Sequence, residues 1–243
     1  MISSAPPPLD ESWGFSAALS NALARLPSAL RAQRCRLVMT GLVLLSALLA
    51  VAPAQAELRQ HELELFALEP GLRILFDTTQ LVPTSSRYWT EIELTATSED
   101  ALSFRYEMYA EGTSYASSGS SVVRDRQACR ALDPWWGPGL SERAERCELW
   151  LSTLAFDELR SSGVTHLAID VHYRGDSALE LRLLRYERFA LTIDARMVEL
   201  RVMVLESSLG DQLWVYDRRE NPFVLRATVV GVYDWFVTEL SSP

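Results

Sequence analysis

Lysine is missing from this 243-residue chain; all 23 of its cations are arginine. That absence reads as a GC-rich coding bias and carries no functional meaning. Other absences exclude chemistry. No Gly-x-Ser-x-Gly elbow is present to raise a serine nucleophile on a strand–helix turn. No glycine-rich loop is available to cradle phosphates. The three cysteines contain no Cys-x-x-Cys spacing, so a redox dithiol is not expected. Histidine is equally scarce, with three copies. No repeat of fixed period is visible. These gaps weigh against an enzyme.

What the chain does have is a basic, then apolar, then small-residue segment. Arg31, Arg34 and Arg36 precede an uncharged run from Leu37 to Ala52. The run ends in Pro53-Ala54-Gln55-Ala56, where Ala54 and Ala56 frame a cleavage point before Glu57. Those are the three parts of a secretory signal peptide. Residues 31–56 are therefore expected to be a helical export signal, and residues 1–30 a poorly structured extension that a mis-assigned start would explain. The competing expectation is an inner-membrane anchor through residues 37–54, at the lower edge of the roughly 17–25 residues that span a bilayer. Its arginines would then stay cytoplasmic. Cys35 precedes the apolar run, so it is not the acylated cysteine of a lipoprotein signal.

Residues 57–243 are long enough for one domain with a real core. The leader takes four of the 23 cations and two of the 32 acids, which leaves 19 against 30, a net of −11. A surface that acidic repels phosphate backbones and disfavours nucleic acid. Two cysteines remain after cleavage, Cys129 and Cys147, and an even pair in an exported chain is expected to be a disulfide. Between them Asp133-Pro134-Trp135-Trp136-Gly137-Pro138-Gly139 breaks any continuous helix or strand, so the bridge is expected to staple a loop that the core does not hold.

Alternation dominates this part. From Tyr88 to Ala96 the even positions are mostly apolar, against Glu91, Glu93 and Thr95. Ala101 to Tyr109 repeats the pattern, with Leu102, Phe104, Tyr106 and Met108 against Arg105 and Glu107. Ser98-Glu99-Asp100 between them makes a hairpin with one buried face, and Arg105 would sit across from Glu91 or Glu93. Val198 to Val204 alternates likewise, and short apolar runs follow at Leu213–Tyr216, Phe223–Val230 and Val232–Leu240. Inward parity is expected to move from Leu179 and Leu181 to Leu184 and Tyr186 through one bulge. One helix is expected, Thr153 to Ser162, with Gly163 as its stop. Ser114 to Ser121 reads as a polar loop. The fold class is mainly β: an antiparallel meander, sandwich or half-barrel with one short helix.

Two groups of residues are candidate sites. His166, Asp170 and His172 share the polar parity of a strand from Val164 to Tyr173, and imidazole with carboxylate is a zinc or iron ligand set. His166 lies roughly 20 Å along the strand from His172, too far for one ion. Asp170 and His172 are the metal candidates, with His61 the remaining histidine; the competing reading is a solvated sheet face. Trp135 and Trp136 could offer a contact surface for sugars, lipids or protein, or plug the sheet edge.

Phe189 to Leu225 runs through Thr192-Ile193-Asp194-Ala195-Arg196, then Gly210-Asp211-Gln212-Leu213-Trp214-Val215-Tyr216-Asp217, then Asn221-Pro222-Phe223-Val224-Leu225. This segment resembles a tail of uncharacterised exported β-rich proteins of Gram-negative bacteria. The resemblance implies a periplasmic or secreted address and a β fold, and carries no activity. The resulting expectation is a non-enzymatic binding or structural protein of the envelope, with no cofactor. Two alternatives stand beside it: a carrier holding a lipid or other apolar ligand in a curved sheet, and a metal-dependent hydrolase using Asp170 and His172.

Overall fold

A computed structural model of the chain describes residues 66–81, 86–112, 116–133, 139–143, 146–169, 175 and 177–243. The expected leader extension (1–30), the expected signal or anchor (31–56) and the tryptophan pair Trp135 and Trp136 lie outside them. The described part belongs to one compact unit, His61–Pro243. Among the described residues no helix is long and apolar enough to cross a membrane.

The predicted hairpin is β2 (Ser86–Thr97) and β3 (Ala101–Ala110), turned at Ser98–Asp100. Ile92, Leu94, Leu102, Phe104 and Tyr106 are buried, while Arg105 faces Glu93 across the strands. The Arg105 Nε lies 3.1 Å from a Glu93 oxygen. An exposed cross-strand pair of this kind contributes about 0.2–1 kcal/mol. The inward parity stops one residue early: a bulge between Leu94 and Ala96 turns Ala96 out to solvent.

β1 (Arg73–Gln80) lines the outer edge of β2, and β4 (Ala116–Arg124) lines β3. The strand β4 replaces much of the loop expected at Ser114 to Ser121. Its small residues are a packing requirement. A side chain at Gly119 would come within 2.5 Å of the Tyr106 hydroxyl and 2.3 Å of the Gly139 carbonyl oxygen. β5 (Ala131–Leu132) and β6 (Gly139–Arg143) lie inside the cysteine-bounded segment, and β6 runs parallel to β4.

Helix α1 spans Thr153–Ser162, as its local signals require. The Ser152 hydroxyl accepts from the Ala155 N–H at 3.2 Å, and Gly163 takes the left-handed conformation (φ 76°) that ends it. Ala155, Phe156 and Leu159 form its buried face.

The C-terminal half is a meander: β7 (Val164–Ile169), β8 (Leu179–Ile193), β9 (Arg196–Ser207), β10 (Gln212–Tyr216), β11 (Val224–Val229) and β12 (Tyr233–Ser241). Consecutive partners from β7 to β12 are antiparallel, and β12 then pairs with β1. The strand order is β5-β7-β8-β9-β10-β11-β12-β1-β2-β3-β4-β6. The end of β8 also meets β12, Thr192 with Glu239 and Ile193 with Leu240, so pairing runs around β8 to β12 as a closed ring. The meander is therefore not wholly antiparallel: β4–β6, β5–β7 and β8–β12 are parallel.

The expected bulge in β8 sits between Leu183 and Arg185. Its consequence differs from expectation. Leu184 and Tyr186 are exposed at 46% and 39%, while Leu181, Leu191 and Ile193 are buried. Leu184 is the extra residue that the ladder leaves out. Arg201 (4.4 Å) and Arg160 of α1 (5.7 Å) lie over the Tyr186 ring.

Cys129 and Cys147 are both buried, with their sulfurs at bonding distance and Cα atoms 5.4 Å apart. Contrary to the expected slack loop, both ends of the bridged segment are held by the core. Cys147 opens a buried run to Ser152, in which Trp150 packs on Phe223 at 5.0 Å. The Trp150 indole donates to the Asn221 side chain, which in turn donates to the Phe66 carbonyl, both at 3.1 Å. A buried polar link of this kind is stable because each donor has an acceptor.

Candidate binding surface

In a sheet, residues directly opposite each other share a face. Following that rule from strand to strand gives one continuous row. Tyr109 of β3 faces Trp89 of β2, and Trp89 faces Asp77 of β1. Asp77 faces Phe236 of β12, Phe236 faces Arg226 of β11, and Arg226 faces Trp214 of β10. Six strands thus contribute aromatic, aromatic, acid, aromatic, cation, aromatic.

The opposite face of the same strands holds the core: Phe76, Tyr233, Trp235 and Val237 are buried there. The row is the outer face. Phe236 is 39% exposed and Tyr109 46%, and Trp89 is half-buried. Hydrophobic area is normally hidden, so partly exposed rings along one line make a candidate contact surface.

Ion pairs support the rings. The Arg87 guanidinium holds Asp77 through its Nε at 3.0 and 2.9 Å and through an Nη2 contact, and it lies 5.2 Å over the Trp89 ring. Asp77 is buried to 4% exposure, so its charge requires that partner. The same carboxylate keeps the Arg87 guanidinium protonated more firmly than usual. On the other side Arg226 lies 4.8 Å over Trp214 and bonds Asp234 at 3.2 Å, while Thr228 donates to Asp234 at 2.9 Å. The Trp214 indole donates to Glu187, and Arg226 covers its ring, so Trp214 is a supporting residue rather than an open platform.

Beside the row lies an open recess of about 330 Å³ lined by Arg73, Glu91, Glu93, Arg105, Tyr106 and Glu107. Glu91 stands opposite Glu107, the nearest approach to a carboxylate pair on this face. Each is engaged: Arg73 lies 3.7 Å from Glu91, and the Tyr109 hydroxyl donates to Glu107. That bond pushes the Tyr109 hydroxyl above its ordinary pKa, which keeps it a donor. The chemistry on offer is stacking and hydrogen bonding by groups whose charges are already matched.

The residues singled out by sequence fall elsewhere. Cys129 and Cys147 come together as expected. His166 is exposed on β7 opposite Glu180. Asp170 and His172, the metal candidates, and Trp135 and Trp136 lie outside the described residues, as does His61. Among the described residues no three His, Cys, Asp or Glu side chains cluster to hold a metal. The alternation already places Trp89 and Tyr109 on the wet face, and an aromatic at a solvent position is the signal that could have nominated them. No protein-family model, curated protein or solved structure matches this chain.

Proposed function

We propose that this chain is an exported, non-enzymatic binding or structural protein of the Gram-negative envelope, and that it meets its partner through the outer face of the sheet. The observation that carries the reading is the row from Tyr109 through Trp89, Asp77 and Phe236. Rings held in water on a rigid scaffold lose little entropy on contact, which favours binding. The cysteine pair at bonding distance is compatible with an oxidising compartment.

The test is fractionation of the full-length chain expressed in a Gram-negative host. The reading expects a polypeptide beginning at Glu57 in the periplasmic or envelope fraction, with Cys129 and Cys147 closed to alkylation. An intact N-terminus in cytosol with both thiols open overturns it.

A carrier of a lipid or other apolar ligand is the second reading. In its favour is an open recess of about 350 Å³ lined by Ile169, Ser177, Leu179 and Leu209. That volume is at the small end for ligand sites. Saturable binding of a hydrophobic dye, abolished by Leu209→Asp, supports this reading; dye binding unaffected by the substitution removes it.

A further inference from the structure

We infer that the Arg87 guanidinium is a displaceable cover over Asp77, and that an arginine side chain of a basic partner protein takes its place between Trp89 and Phe236. The inference deepens the proposed function: it rests on that reading of the face and names the chemistry the face recognises.

The seat is built around one carboxylate. Asp77 stands directly opposite Trp89 on one side and Phe236 on the other. Directly opposed residues have Cβ atoms about 4.5–5.5 Å apart, so a cation on the carboxylate comes within reach of both rings. Asp77 is 4% exposed and has to be matched by a positive group. Its present match names the occupant. Arg87 meets the carboxylate through Nε at 3.0 and 2.9 Å and through Nη2, and lies 5.2 Å over the Trp89 ring. A planar fork on a carboxylate with one face on an aromatic ring suits a guanidinium; an ammonium has no such fork. Phe236, 39% exposed, is the open flank of the seat.

Arg87 is placed to leave. Its side chain is 47% exposed, against 5% for that of Asp77. A second acid adjoins it: the Glu111 N–H donates to the Arg87 carbonyl at 2.8 Å, and Glu111 is exposed. The Arg87 pKa is raised first by its bond to Asp77, and the Glu111 charge adds to that. Swung towards Glu111, Arg87 keeps an acidic neighbour while an incoming guanidinium keeps Asp77 paired. No buried charge is stranded at either end of the exchange, which a neutral or anionic ligand would not allow. Long-range charge agrees, since the acid-rich balance of residues 57–243 attracts basic partners.

The experiment is titration calorimetry of full-length protein in mild detergent with blocked tripeptides carrying a central arginine, lysine or neutral citrulline. Unmutated protein should bind the arginine peptide in preference to the other two. A cover closed in about nine molecules of ten weakens the apparent affinity about tenfold. Arg87→Lys keeps the charge without the fork, and should therefore bind the arginine peptide about tenfold more tightly than the unmutated protein. Glu111→Gln removes the second partner of the cover and should bind it more weakly. Adding Asp77→Asn to Arg87→Lys should abolish the gain. The inference is overturned if unmutated protein does not distinguish arginine from citrulline. It is equally overturned if Arg87→Lys, with its melting transition intact, binds the arginine peptide no more tightly. Envelope association that is still lost with Trp89→Ala and Phe236→Ala would then leave the contact surface standing, with a partner of other chemistry. Association untouched by both substitutions removes the surface itself.

Discussion

The Asp194 carboxylate accepts from both the backbone N–H (2.8 Å) and the hydroxyl (2.7 Å) of Ser242. Those bonds draw the Asp194 carboxyl below its ordinary pKa, the backbone donor first. They join the β8–β9 turn to the residue that follows β12, at the end where the two strands pair. The turn therefore has to adopt one conformation, and it does so with two non-glycine residues at positive φ, Asp194 at 48° and Ala195 at 61°. Two such residues make the tight hairpin whose twist matches its strands.

Ala195 is exposed, so burial of its methyl does not offset that strain. Ala195→Gly should stabilise the fold by about 0.5–1 kcal/mol, read as a higher urea midpoint with unchanged slope. Asp194→Gly relieves the same strain but removes the Ser242 bonds, and should lower the midpoint.

Local signals made parts of this fold readable. The limits of α1 follow from Ser152 and Gly163, which act within one helical turn. The β2–β3 hairpin follows from alternation and from Ser98–Asp100. The bulge near Leu184 was readable, but its direction was not, because distant packing decides which side of β8 is covered. β4 was hidden for a related reason: its serines and Gly119 look like a loop until Tyr106 and Gly139 are placed against them. The aromatic row was half legible. Parity put Trp89 and Tyr109 on the wet face, yet only the pairing of β1 with β12 brings Asp77 beside Phe236.

Gly119 offers a sharp packing test. An added methyl meets the hydroxyl of Tyr106, whose ring is buried, and a backbone oxygen, and neither can easily give way. Gly119→Ala should cost about 1–3 kcal/mol, and Gly112→Ala, where a methyl meets nothing within 4 Å, should show only the smaller strain of its positive φ. Equal midpoints for Gly119→Ala and the parent would contradict the packing of β4.

Removing the cysteine link frees a segment whose ends are 18 residues apart. Cys129→Ala with Cys147→Ala should lose about 3 kcal/mol by constraining the unfolded chain less. The expected signature is a lower thermal midpoint that a reductant does not shift further, whereas the parent protein falls to the same level when reduced.

Glu158 on α1 gives a pH dependence with a definite sign. Bonds from Arg130 (2.7 and 2.8 Å) and from the Thr165 hydroxyl hold its carboxyl down to about 2. A carboxyl lowered in the folded state stabilises the fold above its unfolded value and loses that contribution as pH falls. The window runs from about 4.5 down to about 2. Both side chains are more than a third exposed, so screening reduces the effect to about 1 kcal/mol. Glu158→Gln should destabilise the protein at pH 6 and make no difference near pH 2, measured by denaturant titration at each pH.

The most direct measurement is hydroxyl-radical footprinting of the full-length protein, free and bound to isolated envelopes, with oxidation read residue by residue. Protection confined to Tyr109, Trp89 and Phe236, with Tyr186 and Leu184 oxidised as in the free protein, is the predicted result. Protection centred on Tyr186 and Leu184, with the three aromatic residues of the row still open to oxidation, would contradict the account.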